Sequence, residues 1–299
     1  MSLLVPAPID RRALSRALTR AANATVEEVF ELTAHAPGSA RLIGITGAPG
    51  AGKSTLVGRL AKYRLARAAN LAIIAIDPSS PKTHGSVLGD RIRMEALADD
   101  TRVYIRSLPS REAHDGLTHN VPEVLATLEA FGFDEVLVET VGVGQSAYGV
   151  RDLVDAEVLV LAPGAGDYVQ AMKAGIMETA DIFVVSKADL PGAARLEAEL
   201  IGVLQRRGAT PPVIRVQLDD DDGLISLSEA LDRHMSDAVG GRDPQAVLRT
   251  RQRFRVQSLI QRRLQETLEA LPQEFWDGPL RELYTVMLKR LCATASDKD

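Results

Sequence analysis

Between Leu42 and Leu60 the sequence passes from an apolar run, Leu42-Ile-Gly-Ile-Thr46, through Gly47-Ala-Pro-Gly-Ala-Gly-Lys-Ser54 and into Thr55-Leu-Val-Gly-Arg-Leu60. A strand, then G-x-x-x-x-G-K-S, then a helix is the pattern of a phosphate loop. It constrains the fold tightly, because the turn needs a strand behind it and a helix ahead of it to aim backbone amides at an anion. Gly47, Gly50 and Gly52 supply the φ > 0 conformations of such a turn. Ala48, Pro49 and Ala51 fill the loop between them, and Thr55 follows on the helix. Lys53 is placed to add a full charge at the β- and γ-phosphates, and the Ser54 hydroxyl to bind Mg²⁺.

From Leu42 to about Ser236, apolar runs alternate with helical periodicity, which predicts an α/β fold: a P-loop NTPase with a mostly parallel sheet and helices on both faces. The predicted strands are Leu42–Thr46, Leu71–Ile76, Val103–Ile105, Glu135–Val138, Val158–Leu161, Ile182–Val185 and Val213–Val216. Their near-continuous apolar runs suit strands covered on both sides. Upstream, Leu14, Leu18, Ala21 and Ala22 recur at helical spacing behind Asp10, and Thr25-Val-Glu-Glu28 reads as the capping box of a second helix through Leu32. Downstream, Asp219–Asp222 reads as a solvated loop and Gly240-Gly-Arg-Asp-Pro244 as a linker. Beyond it Val256, Leu259, Ile260, Leu264, Leu268 and Leu271 mark one helical face, and Leu280–Leu291 a second helix. The chain thus divides into an N-terminal helical extension at 1–40, a P-loop nucleotide-binding domain at 41–239 and a C-terminal helical arm at 240–299.

Bulk properties narrow the function classes. A net charge of −5 lacks the basic footprint of a nucleic-acid binder. The lone Cys292 excludes an internal disulfide framework and a cysteine-rich metal site, and a cytoplasmic address follows. Met1-Ser-Leu-Leu-Val-Pro-Ala-Pro does not read as a secretory leader, and no apolar stretch is long enough to predict a membrane span. His35, His84, His114, His119 and His234 are scattered and read as ordinary surface or loop residues.

Ligands of such sheets sit beyond the carboxyl ends of the strands, and each of those ends carries polar residues. The second run leads into Asp77 and a polar loop reaching Asp90, the fourth into Glu139-Thr-Val-Gly-Val-Gly-Gln145. The fifth leads into Pro163-Gly-Ala-Gly-Asp167 and the sixth into Ser186-Lys-Ala-Asp189. Mg²⁺ takes oxygen ligands, so Ser54 with one or two of Asp77, Asp90 and Glu139 would hold the ion or its waters, while another carboxylate orients the attacking water. Gly142, Gly144, Gly164 and Gly166 are either backbone that moves or approaches the ligand, or plain turn glycines. A carboxylate at Asp189 accepts from guanine N1–H and the 2-amino group, which adenine does not offer, and the Lys187 stem can lie over the base. That favours GTP over ATP.

With those residues in view, the sequence resembles the MeaB/ArgK-type GTPases, chaperones of adenosylcobalamin-dependent acyl-CoA mutases. The resemblance rests on Gly44–Leu56, Asp77-Pro-Ser-Ser80, Gly85-Ser-Val-Leu-Gly-Asp90, Glu139-Thr-Val-Gly-Val-Gly-Gln-Ser146 and Pro163-Gly-Ala-Gly-Asp167, and spans roughly residues 10 to 240. It implies that Lys53 serves the phosphates, that Ser54, Asp77, Asp90 and Glu139 serve Mg²⁺ and hydrolysis, and that Gly142 senses the γ-phosphate. A third switch, Gly166-Asp-Tyr-Val-Gln-Ala-Met-Lys173, would couple nucleotide state to the mutase through Asp167, Gln170 and Lys173. The apolar face of the arm either folds back on the core or serves association, and the resemblance favours a homodimer contact.

Three departures stand out. The usual Asn of the guanine motif is Ser186, removing an amide that braces the loop; Gly-Asp-Lys-Thr-Arg is Gly89-Asp-Arg-Ile-Arg93. Where relatives have Arg-Pro-Ser-Pro and later Leu-Gly-Gly, this chain has Arg106-Ser-Leu-Pro-Ser110 and Asp115-Gly-Leu117. The reading that results is a GTPase slow by itself and faster with its mutase, gating cobalamin loading, protection or repair. The alternative is a small-molecule kinase using the same loop. A metal-inserting GTPase would need Cys/His clusters, which this sequence does not carry.

Overall fold

The structure, a computed structural model, describes residues 9–32, 40–78, 97, 100–110, 120–140, 149–164, 176–208, 210–241 and 244–296. Among them, β1 (Arg41–Gly47), β2 (Leu71–Pro78), β3 (Val103–Ser110), β4 (Glu135–Thr140), β5 (Ala156–Leu161), β6 (Ile182–Val185) and β7 (Val213–Arg215) form one parallel sheet. The order is β3-β2-β4-β1-β5-β6-β7. The strand that leads into the phosphate loop is therefore central, and β4 lies between it and β2.

Helices cover both sides, as the alternating pattern predicts. On one face Ile43, Ile45, Leu137, Val158 and Val160 meet Leu56, Val57 and Leu60 of α3 (Lys53–Arg64) and Leu224, Leu227 and Leu231 of a long helix, Asp222–Gly241. The other face carries α1 (Arg11–Asn23), through Leu14 and Leu18, and α4 (Val121–Ala130), through Val124, Leu125 and Leu128. Beside them Leu159, Leu161, Phe183 and Val185 pack on Leu196 and Leu200 of α5 (Ala193–Arg206). The Asp222–Gly241 helix is α6. Local capping agrees with the sequence: ahead of α2 (Val26–Leu32), Thr25 N donates to Glu28 Oε2 at 2.7 Å and Glu28 N to Thr25 Oγ1 at 3.3 Å.

Three readings of the chain path need correction. β3 runs through Ser110 instead of ending at Ile105, pairing Asp77 with Pro109. An edge strand can hold that proline because its missing N–H faces no partner. The proposed linker is mostly helix, since α6 continues to Gly241 and α7 (Pro244–Glu269) begins at Pro244. Proline suits a first helical turn, where its N–H would be unpaired in any case. The aspartate run is more than a solvated loop: Asp222 starts α6, and Asp220 Oδ1 accepts from Asp222 N at 2.9 Å. The apolar stripe of α7, which the sequence leaves as a folded-back face or an association arm, lies mostly outward. Leu271, just past its end, is buried, while Val256 and Ile260 are 55% and 63% exposed.

α7 instead turns a cationic face inward. Arg251 donates to Asp155 at 2.6 Å and Arg255 to Glu123 at 2.9 Å, while Arg262 bonds Asn120 and Arg263 bonds Glu27. Outward it leaves Val256, Ile260 and Leu264, and α8 (Leu280–Ser296) leaves Leu280, Tyr284 and Leu288. No helix among the described residues is long and apolar enough to cross a membrane.

One buried acid lies at the opposite end of the sheet from the phosphate loop. Glu157, near the start of β5, is fully buried. Desolvation pushes its carboxyl from an ordinary 4.5 to about 7; Arg151 and Thr179 pull it back only in part, and Asp181 adds to the rise. Arg151 is itself engaged by Asp181, which also faces His234 Nε2 at 3.6 Å. His234 is thus a half-buried neighbour of an acid, not a surface residue. A raised folded-state value means stability that is whole below the unfolded value and lost as pH climbs from 4.5 through 7. Glu157→Gln is therefore expected to gain about 3 kcal/mol over the parent at pH 8 and little at pH 4. Urea melts of both proteins across that range check it; parallel pH profiles would contradict it.

Candidate nucleotide site

The phosphate loop begins where β1 runs out between β4 and β5. Gly47 pairs with Val160, and a Cβ at Gly47, whose φ is +150°, would stand 2.2 Å from the Val160 carbonyl oxygen. Only glycine permits that approach, so the strand end itself demands the first residue of the motif. Pro49 and Gly50 form the exposed apex, with Ala48 and Ala51 buried on either side. Gly52 is the N-cap of α3 in the left-handed conformation and offers no side-chain cap. The first-turn amides of a twelve-residue helix are thus presented where an anion would sit.

Lys53, almost wholly buried, folds over the loop and donates from Nζ to the carbonyls of Gly47 and Ala48, both at 2.9 Å. It is preorganised within the loop it is meant to serve. Ser54 Oγ donates to Glu139 Oε1 at 2.7 Å, and both residues are buried. Glu139 reaches this point because β4 lies directly beside β1, with Ile45 opposite Glu139. A hydroxyl and a carboxylate held together at the head of a helix form an all-oxygen donor set, which fits Mg²⁺ and suits no soft metal.

Asp77 occupies the C-terminal end of β2, one residue past the Ile76–Thr140 pairing, and its side chain lies outside the described part. Asp90, Gly142, Gly166, Asp167, Gln170 and Lys173 also fall outside the described residues. So of the proposed carboxylates, the structure joins Glu139 to Ser54 and leaves the others without a described partner set.

The base motif follows β6. Ser186 Oγ donates to the Ala51 carbonyl at 2.6 Å, and the Leu161 carbonyl lies 3.1 Å from the same oxygen. The brace expected to vanish with the usual Asn is therefore present, because a hydroxyl here reaches the loop unaided. Lys187 adopts φ +51°, an unusual conformation for a side chain-bearing residue, and its Nζ donates to the Gly50 carbonyl at 2.8 Å. Asp189 is exposed. The motif thus ties itself to the phosphate loop at Gly50 and Ala51 and leaves its carboxylate outward.

One contributor escaped the sequence reading. Arg59, on the second turn of α3, donates to the backbone carbonyls of Gln217 and Asp220 and to the Asp221 carboxylate. A single Arg in a helix gives no signal for a contact so far along the chain.

Comparisons with known proteins agree with this geometry. A family model described as methylmalonyl-CoA mutase-associated GTPase MeaB matches residues 12–273. A Pyrococcus horikoshii relative, named as a GTPase, is 38% identical over 281 residues, covering 90% of this chain and 87% of its own. The mouse protein named methylmalonic aciduria type A homolog, mitochondrial, is 35% identical over 248 residues, 80% of this chain and 60% of its own. A solved structure titled LAO/AO transport system kinase superposes with a TM-score of 0.57 at 23% identity, over 95% of this chain and 99% of that one, and supports the fold. With the phosphate loop, the Ser54–Glu139 pair and the base motif on one such sheet, the chain belongs to the methylmalonyl-CoA mutase-associated GTPase (MeaB) family.

Proposed function

We propose that this protein binds and hydrolyses GTP and, through its nucleotide state, gates cofactor loading, protection or repair of an adenosylcobalamin-dependent acyl-CoA mutase. The mutase would act on methylmalonyl-CoA, isobutyryl-CoA or 2-hydroxyisobutyryl-CoA. The observation that carries the reading is the Ser54–Glu139 contact beside Lys53, on a chain whose family description names a mutase-associated GTPase.

In this reading the amides of the loop and of the first turn of α3 bind the phosphates, and Lys53 exchanges its loop carbonyls for β- and γ-phosphate oxygens. Ser54 and Glu139, with Asp77 and Asp90, hold Mg²⁺, which spreads the negative charge of the triphosphate. Asp189 reads guanine, with Ser186 and Lys187 fixing its loop. Gly142 responds to the γ-phosphate, and Gly166, Asp167, Gln170 and Lys173 pass the state to the mutase. The outward apolar residues of α7 and α8 support a homodimer.

Phosphoryl transfer to water needs positioning and charge neutralisation, and unaided GTPases run about 10³ to 10⁵ below their stimulated rates. Slow phosphate release by the purified protein, accelerated by a cobalamin-dependent mutase, is the expected result. Equal rates with and without every candidate mutase would remove the coupling. Kinase chemistry would instead yield a phosphorylated metabolite in place of free phosphate.

A further inference from the structure

Arg59 lies six residues along α3 from Lys53, yet its guanidinium ends in the turn between β7 and α6. Nη1 donates to the Gln217 carbonyl at 2.5 Å; Nη2 donates to the Asp220 carbonyl at 2.9 Å and to Asp221 Oδ1 at 2.7 Å. A planar fork with several fixed N–H groups can hold three such acceptors, and an ammonium on a flexible stem cannot do so equally well. The turn is otherwise tight. A Cβ at Gly223 would meet the Arg215 carbonyl at 2.2 Å, so α6 leaves β7 backbone against backbone.

Following the hydrogen bonds from there closes a ring. Val216, next to the clamped turn, accepts at its carbonyl from Ala188 N at 3.1 Å, inside the base motif. The flanking residues Ser186 and Lys187 reach back to Ala51 and Gly50. The phosphate loop then runs into α3, which bears Arg59. Every link is described, and Arg59 is the step that joins the phosphate helix to the far end of the base motif. It also neutralises the Asp221 carboxylate within the run of four aspartates, Asp219 to Asp222. Leu218 on the clamped turn and Leu190 next to Asp189 leave apolar surface in solvent, 64% and 44% exposed, of the kind a planar base covers.

We infer that Arg59 is a positioning residue for the purine. By tying the 217–221 turn to the helix that starts at Lys53, it fixes a wall of the base site beside Asp189 and so sets guanine selectivity and nucleotide residence time. The inference rests on the guanine-nucleotide reading above and adds a residue that no motif contains. It predicts that losing the clamp acts on affinity and release rather than on turnover at saturation, because Arg59 does not touch the groups at the phosphates.

The test compares the full chain with Arg59→Met, Arg59→Lys and Asp221→Asn, measuring dissociation constants and off-rates for GDP and ADP together with kcat and KM for GTP. Arg59→Met strands two backbone acceptors and is expected to speed GDP release and to cut the guanine-over-adenine ratio by about tenfold. The loss should appear in KM and not kcat. Arg59→Lys should recover part of it. Asp221→Asn alters only an exposed carboxylate and is expected to move the same quantities in the same direction by less, which keeps the test decisive even where Arg59→Met folds poorly. Wild-type selectivity and off-rates in both Arg59→Met and Asp221→Asn would overturn the inference. A wild-type protein with no preference for GDP, or one whose preference survives Asp189→Asn, would overturn the guanine reading itself. A preference lost in Asp189→Asn yet intact in Arg59→Met would sink the role of Arg59 alone.

Discussion

Lys53→Ala is expected to lose nucleotide triphosphate binding and turnover while keeping its fold. Lys53 Nζ is held at the phosphate loop by the carbonyls of Gly47 and Ala48, which it would exchange for phosphate oxygens without leaving the loop. Removing one preorganised charged donor from a phosphoryl site costs on the order of 10² to 10³ in rate. The cost to stability is smaller. Two loop carbonyls lose a donor, worth about 1 to 3 kcal/mol together, and α3 retains its apolar contacts at Leu56, Val57 and Leu60. Calorimetry with a non-hydrolysable GTP analogue and Mg²⁺, run beside a thermal melt, separates the two. Parent-like heat of binding in Lys53→Ala would contradict the phosphate-loop assignment; a collapsed melt without nucleotide would show that the lysine holds the loop together instead.

The loop was legible in the sequence because its chemistry is local. Each glycine, the lysine and the serine act within eight residues, and Gly47 carries its own steric reason in the approach to Val160. The strands were legible where burial on both faces forces unbroken apolar runs. Their order was not. Nothing in Leu71–Ile76 says that β4 will separate it from β1, yet that insertion is what places Glu139 against Ser54. β3 hid its second half because Ser107, Pro109 and Ser110 read as loop, and only its place at the sheet edge makes them strand.

Side-chain reach defeated the pattern reading elsewhere. Periodicity assumes that a helix docks by its apolar stripe, and α7 docks by Arg251, Arg255, Arg262 and Arg263. A family pattern assumes that the guanine-motif brace needs an amide, and Ser186 supplies it through a hydroxyl 2.6 Å from the Ala51 carbonyl. In both cases the residue type was visible and its partner was not, because the partner lies far along the chain and is chosen by the packing.

The same limitation hid the ion network from which the largest stability effect is expected. Arg64, at the end of α3, is buried with a bidentate grip on the equally buried Glu135 at the start of β4, Nη2 lying 2.7 Å from Oε2. It also donates to Ser228 Oγ at 2.9 Å and to Asp232 at 3.0 Å, both on α6. Burial by itself would lower the Arg64 pKa; Glu135 and Asp232 outweigh it and raise the value, so the guanidinium stays charged. Among the described residues, Arg64→Met leaves the buried Glu135 with Arg41, 3.7 Å away and half-exposed, as the cation to answer it. Breaking a buried pair in this way costs about 3 to 5 kcal/mol, whereas replacing both partners with apolar residues of similar size is often neutral. Arg64→Met is therefore expected to lower the melting temperature by roughly 10 °C, and Arg64→Met with Glu135→Leu to recover most of it. Because α3 opens at Lys53 and closes at Arg64, saturating GDP should still raise the melting temperature of Arg64→Met if its first turn keeps its shape. A double variant as unstable as the single one would show that the network acts through hydrogen bonds to Ser228 and Asp232 rather than through the uncompensated charge on Glu135.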